Sequence, residues 1–298
     1  MPVSPRIALA TCEELPDLDP DDQPLVGLFH KMGIEATPAI WSDPIINWAA
    51  FDHIIVRNTW DYTNRLEEFL AWAKMHESRI HNSYEILVWN SNKIYLKDLS
   101  DAGFPIVDTQ FVTDPLSDWE VPPLGDFVVK PTVSAGSQDT MRFRTSDLDS
   151  HDRAQDLMTR IISRGKTAMV QPYLVAVDEI GETAQLFIGG EYSHAIRKGP
   201  LLVPNVEGIK EHGLFLKEDI SPRDPRPEQR ELAAAVIDHI SQRFGVPLYA
   251  RVDLLDDSED KPVILEIELV EPSMFFATAP ESAARLAHQF RNQPPICN

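Results

Sequence analysis

The chain opens on a short uninterrupted apolar run, Ile7-Ala-Leu-Ala10, closed by Thr11, which predicts a buried parallel strand over residues 6–11. An acidic, proline-rich stretch over 12–22 follows. Apolar residues then recur at helical spacing over 23–32 and stop at Gly33. Residues 34–41 and 51–57 predict two more strands, and 65–77 predicts a helix through Leu66, Phe69, Leu70 and Ala73. Strands alternating with helices imply an open, mostly parallel sheet with ligands at the carboxyl ends of its strands.

Beyond residue 90 the pattern changes. Residues 90–103 begin with cap-type Asn and Ser and end in Gly, as a short helix does. Extended chain over 104–112 and a proline-rich linker over 114–125 lead to a strand over 126–131. Lys130 closes that strand just before a small-residue loop at 132–139. A helix over 152–163, a strand over 167–174 and a hairpin of 179–189 with 191–197 follow, turning at Gly189-Gly190. Residues 201–224 lack periodicity and are expected to form a mobile loop; 227–244 and 279–290 predict helices.

Between those last helices lies a second hairpin, over 249–269. Arg251 and Asp253 alternate with Val252 and Leu254, and Glu266 and Glu268 alternate with Leu265, Ile267 and Leu269. Period-2 geometry brings three carboxylates and one guanidinium to a single face. Such a cluster repels itself unless cations sit among it, and hard oxygen ligands suit Mg²⁺. A solvated hairpin face is the alternative reading of this stretch alone.

A length of 298 residues suggests two or three lobes, and the 43% hydrophobic content supports a real core. The net charge of −20 argues against nonspecific nucleic-acid or anionic-membrane binding, while leaving room for a local basic pocket. Cys12 and Cys297 have no Cys-x-x-Cys spacing, which speaks against structural zinc or a disulfide framework. With no signal-type or membrane-spanning run, the expected location is the cytoplasm.

Two loops fall at strand ends of the N-terminal sheet: Thr11-Cys-Glu-Glu14 and Arg57-Asn-Thr-Trp-Asp-Tyr62. They suit a small zwitterion, with Arg57 on its carboxylate, Asn58 beside it, and Glu13 or Asp61 on its amine. The alternative has Trp60 and Tyr62 capping the core while Arg57 pairs with a neighbouring acid. Cys12 reads as a small buried thiol rather than a nucleophile.

The order Lys93, Phe127-Val-Val-Lys-Pro131 with its small loop, Gln171-Pro-Tyr-Leu174, Arg251-x-Asp253 and Glu266-x-Glu268 resembles the ATP-grasp superfamily of carboxylate–amine ligases, from about residue 92 to residue 272. The resemblance implies an open parallel α/β domain over 1–91, a central α+β lobe over 92–174 and a C-terminal lobe over 175–298, the two lobes gripping ATP. By the same resemblance, Lys93 meets the α- and β-phosphates, Lys130 is shared between phosphate and the adenine side, and Ser134, Gly136 and Ser137 belong to the phosphate-covering loop. Gln171, Tyr173 and Leu174 line adenine; Asp178, Glu179 or Glu182 takes the ribose, with Glu179 favoured. Asp253, Glu266 and Glu268 hold Mg²⁺, Arg251 stabilises the tetrahedral intermediate, and Arg197 covers the γ-phosphate or the acyl phosphate. Glu268 stands where many members of the superfamily have Asn.

Chain length, the Ala10-Thr-Cys-Glu-Glu14 opening, the 57–62 loop and the Glu266-Ile-Glu-Leu-Val-Glu-Pro-Ser273 ending are most similar to the cyclo-ligase (D-cycloserine synthetase) type of that superfamily. The implied activity is ATP-dependent activation of a carboxylate as an acyl phosphate, followed by attack of nitrogen within one O-ureido-D-serine molecule. The partner is then an amino-acid-like small molecule, and a homo-oligomer is left open. An intermolecular amino-acid or peptide ligase and a non-catalytic ATP-binding protein are the competing readings.

Overall fold

A computed structural model describes residues 4–116, 119–123, 125–204, 210–211, 215–216 and 219–292. Strand β1 (Arg6–Thr11), helix α1 (Pro24–Lys31), β2 (Glu35–Ile40), β3 (His53–Asn58), helix α2 (Leu66–Met75) and β4 (Ile80–His81) come first in the chain. They form a parallel sheet in the order β2-β1-β3-β4. Ile7, Ala8, Leu9 and Ala10 are completely buried, as a strand covered on both faces requires. Pro38 is tolerated in β2 because that strand is an edge. Successive connections leave β1 in opposite directions, so the crevice between the ends of β1 and β3 is the sheet's switch point.

The short helix expected over 90–103 is α4 (Tyr95–Asp101), and a helix that the pattern did not single out, α3 (Tyr84–Asn90), precedes it. The Ser83 side chain caps α3, and the Asn90 side chain leaves the helix to pair with backbone of the hairpin 177 residues further on. A four-residue interval is enough to turn the chain and begin α4.

Strands β5 (Gln110–Val112), β6 (Asp126–Pro131) and β7 (Met141–Arg144), helix α5 (Ser150–Ser163) and strand β8 (Ala168–Pro172) build a second sheet, antiparallel, in the order β5-β8-β6-β7. Phe127 and Val129 face α5 and pack on Ala154, Leu157, Met158 and Ile161. The alternate residue Val128 faces the other way, against Tyr173, Leu255 and Val263.

The remaining elements are helix α6 (Ala176–Glu179), β9 (Glu182–Ile188), β10 (Glu191–Lys198), β11 (Lys210–Glu211), β12 (Phe215–Leu216), β13 (Ile220–Pro222), helix α7 (Pro227–Phe244), β14 (Tyr249–Asp256), β15 (Pro262–Glu268) and helix α8 (Glu281–Asn292). The third sheet runs β13-β10-β9-β14-β15, while β11 and β12 pair with each other. Within 201–224, where a mobile loop is expected, β11, β12 and β13 form instead, while 205–209, 212–214 and 217–218, like 117–118 and 124 of the linker and Cys297, lie outside the described residues.

One face of the third sheet packs on α7 and α4 through Val252, Leu254, Ile237 and Leu96. Its other face meets α1, α8 and the N-terminal sheet through Leu186, Ile188, Leu25, Phe29 and Leu286. No helix among the described residues is long and apolar enough to cross a membrane.

Candidate active site

The acidic hairpin is the centre of the site. In the β14–β15 ladder Arg251 lies opposite Glu268 and Asp253 opposite Glu266, with a bulge just after Asp253. Cross-strand partners share a face, so all four side chains point the same way. Carboxylate oxygens of Asp253, Glu266 and Glu268 lie within 4.8 Å of one another, a spacing that suits a shared divalent cation.

As an edge strand, β15 would expose unpaired backbone at this point, but side chains from 90–95 cover it. Asn90 donates to the Ile267 carbonyl at 2.9 Å and accepts from the Leu269 amide at 2.6 Å. Tyr95 donates to the Ile267 carbonyl at 2.8 Å and accepts from its amide at 2.7 Å. These four bonds hold the backbone that carries Glu266 and Glu268, and so aim both carboxylates.

Cations surround the cluster. Arg251 grips Asp253 in two parallel bonds of 2.8 and 2.9 Å and also bonds Glu268. Lys93 Nζ lies 3.6 Å from Glu266 and donates to the Ser134 carbonyl at 2.9 Å. Burial alone would raise the Glu266 pKa, but Lys93, Lys130, Lys198 and Arg251 together hold it well below the usual carboxylate range. Glu268 goes the other way: burial pushes it to about 7 despite Arg251. Burial also lowers the Lys130 ammonium, against the pull of Glu266.

Arg197 does not reach this cluster. It donates to the Ile180 carbonyl and to Asp219, outside both cavities described below. Its neighbour Lys198 takes the position instead, with Nζ 3.2 Å from both Glu182 and Asp253. Strand alternation explains the exchange. Asp253 pairs with Ala184, two residues from Glu182, and Glu182 pairs with Lys198, so Lys198 shares the acidic face and Arg197 the opposite one.

A cavity of about 130 Å³ lies between the second and third sheets. Val128, Leu255 and Leu265 supply apolar walls, and Gln171, Tyr173 and Leu174 run along it, a setting suited to a flat aromatic base. Lys130, Ser134, Gly136 and Ser137 line its inner end. Gly136 and Ser137 both take left-handed backbone, φ +58° each, which turns this loop sharply. Glu179 is exposed and lines neither cavity, because it ends the short α6 on its outer side. Asp178 is committed to Arg142 and Tyr173. Of the three acids weighed for this position, Glu182 is the one that lines the slot.

A larger chamber of about 360 Å³ opens on the other side of the carboxylates. The two N-terminal loops do reach it, but through residues other than those expected. Asp19 and Asp21 come from the loop after β1, and Trp60 and Tyr62 from the loop after β3. Arg57 and Asn58 cannot hold a substrate here: they are 0% and 1% exposed. Arg57 bonds Asp22 at 3.0 Å and the Pro272 carbonyl at 2.9 Å, and Asn58 bonds Asp22 and the Asp19 amide. Asp61 accepts from the Trp41 indole at 2.8 Å, and Glu13 is exposed; neither lines the chamber. Burial pushes the Cys12 thiol up to about 12, so it stays protonated, as a small core residue.

The far wall holds two residues that sequence patterns did not single out. Phe275 adopts left-handed backbone at φ +50°, uncommon outside glycine, and its ring centroid lies 5.6 Å from the Arg251 guanidinium carbon. Glu271 is 8% exposed and borders the chamber just past the end of β15. The acid was visible in the Glu-Pro-Ser ending; its position in space was not.

Known proteins resemble this chain in sequence and fold. A family model described as the N-terminal domain of D-cycloserine synthetase DcsG matches residues 7–82. The cycloserine biosynthesis protein DcsG of Streptomyces lavendulae is 32% identical over 295 residues, covering 94% of this chain and 96% of that one. The crystal structure of D-cycloserine synthetase DcsG is similar with a TM-score of 0.86 at 31% identity, covering 96% of this chain and 98% of that one. D-alanine–D-alanine ligase from Bacillus anthracis, with a TM-score of 0.65 at 14% identity and coverage of 97% and 96%, shares the fold.

Proposed function

The chain belongs to the D-cycloserine synthetase family of ATP-grasp ligases, and on that premise we propose that it activates the carboxylate of O-ureido-D-serine with ATP and closes the molecule into D-cycloserine. It is an ATP-dependent carbon–nitrogen ligase. The observation that carries the specific reading is a shared boundary: Lys93, the 134–137 loop, Lys198, Glu266 and Glu268 line both the apolar slot and the polar chamber. A nucleotide in the slot therefore directs its phosphates at whatever occupies the chamber.

In this reading the 1–91 segment contributes one wall of the chamber, and the lobes over 92–174 and 175–298 enclose the nucleotide, in the cytoplasm. Gln171, Tyr173 and Leu174 meet adenine, and Glu182 meets the ribose. Lys93, Lys130 and Lys198 offset phosphate charge. Asp253, Glu266 and Glu268 would hold Mg²⁺, which would supply charge neutralisation for the transferring phosphoryl group. A carboxylate resists nucleophiles because it is anionic and has no good leaving group. Phosphorylation removes both obstacles, and it depends mainly on positioning and charge. Arg251 then offsets the oxyanion that develops as nitrogen attacks. With both reacting groups in one molecule, proximity replaces a second substrate site, and the modest chamber is in keeping with a single amino-acid-like occupant.

The test is ADP release against a panel of amino acids and O-substituted serines, with mass analysis of products. O-ureido-D-serine is expected to give ADP and a product lighter by the elements of ammonia and carbon dioxide. Two substrates joined with loss of water would instead indicate an intermolecular ligase, and no ADP with any substrate would indicate a binding protein.

Lys198 and Arg197 offer a sharper check of the phosphate site. Lys198→Ala is expected to cut ADP formation by about 10²-fold, as loss of a charge-stabilising donor does. Arg197→Ala, which removes a partly exposed pair with Asp219, should stay within roughly threefold. The opposite order would return the role to Arg197.

A further inference from the structure

We propose that the Glu271 carboxylate accepts the proton that the attacking nitrogen loses as the ring closes. This rests on the cyclisation reading above and adds the base that such a step requires.

Three carboxylates among the described residues border the chamber without also bordering the nucleotide slot: Asp19, Asp21 and Glu271. Asp21 is occupied in accepting the Phe276 and Ala277 amides at 2.8 and 2.7 Å. Asp19 accepts the Asp21 amide and sits in the outer loop. Glu271 differs from both. Its side chain is nearly enclosed, shares the chamber wall with Tyr62, and lies within electrostatic reach of Glu268, Lys93 and Arg251.

The backbone at this point is held from the N-terminal sheet. Trp60 Nε1 donates to the Glu271 carbonyl at 3.1 Å, and Arg57 Nη2 donates to the next carbonyl, that of Pro272, at 2.9 Å. The strand ends at Glu268 and the chain bends over the next residues, which turns Glu271 into the cavity. A fixed backbone and a nearly enclosed side chain are what a proton acceptor needs to meet its donor repeatedly in one geometry.

Burial, reinforced by Glu268 and opposed by Lys93, Tyr62 and Arg251, raises the Glu271 pKa to about 8, which suits a base working near neutral pH. In the step, the N–H bond breaks toward a Glu271 oxygen and the C–N bond forms at the acyl carbon. The acyl C–O bond to phosphate breaks, and phosphate leaves with the electron pair; water then takes the carbamoyl group off the ring nitrogen as carbon dioxide and ammonia, giving D-cycloserine. Exchange with solvent after product release restores the carboxylate.

The experiment measures D-cycloserine and ADP together in the full-length enzyme with O-ureido-D-serine, Mg²⁺ and ATP. If the wild-type chain releases no ADP with this substrate, the functional reading fails before Glu271 is tested. Given wild-type turnover, Glu271→Gln is expected to keep releasing ADP within roughly tenfold of wild type while D-cycloserine falls by about 10²-fold or more. Acyl phosphate then forms and is lost to water. Glu271→Asp should recover part of the product-to-ADP ratio. Tyr62→Phe removes a hydroxyl that lowers the Glu271 pKa, so the rising limb of ring closure should move to higher pH. A wild-type product-to-ADP ratio in Glu271→Gln, or parallel loss of ADP and product, would overturn the proposal. An unmoved limb in Tyr62→Phe would remove Tyr62 from it.

Discussion

Replacing Glu266 by Gln is expected to lower ADP formation about 10³-fold, roughly 4 kcal/mol of transition-state stabilisation. Glu266 is the carboxylate on which Lys93, Lys130, Lys198 and Arg251 converge. Neutralising it removes a metal ligand and leaves the cations mutually repelling at the place where phosphate charge must be positioned. The side chain is partly exposed toward the cavities, at 16%, so the sheet beneath it should survive. Far-UV circular dichroism should be unchanged while steady-state ADP release at saturating Mg²⁺ collapses. Near-normal turnover would sink the metal assignment, and with it the reading of the hairpin as the reaction centre.

The second large effect is on stability. Asp22→Ala should destabilise the protein by about 3–5 kcal/mol, because it leaves the fully buried Arg57 guanidinium without its counter-charge. The loss propagates: Asn58 gives up its bond to Asp22, and the Arg57 hold on the Pro272 carbonyl loosens. A lowered urea midpoint, with KM for the amino-acid substrate nearly unchanged in the fraction still folded, is the expected pattern. A raised KM at wild-type stability would instead restore Arg57 to the substrate.

These two residues mark how far the sequence could be read. Glu266, Glu268, Asp253 and Arg251 were legible because strand alternation puts residues two apart on one face. The hairpin then needs only a register, which the ladder supplies as Asp253 opposite Glu266. Lys93, Gln171 and the 134–137 loop were legible through their order along the chain. The Arg57 loop was found, but its contents were inverted. The polar residues went inward to Asp22, and the aromatic Trp60 and Tyr62 turned to the chamber. Arg57 is paired with a neighbouring acid, Asp22, the alternative that its loop also allows.

What the sequence determined by itself is local: the alternating apolar runs, the helix over 227–244, and the acidic faces of the hairpin, all written in residues two to four positions apart. Tertiary structure decided which of those faces meet. The Arg57 contacts join residues 35 and 215 positions apart, and the Asn90 and Tyr95 bonds that aim the carboxylates span 177 and 172. Lys198 displaced Arg197 because a bulge after Tyr192 and the pairing of β10 with β9 set its phase. Periodicity constrains the face a side chain takes only relative to its own strand. Which way that face looks depends on the sheet's neighbours, and hence on burial and charge pairing summed over the whole chain.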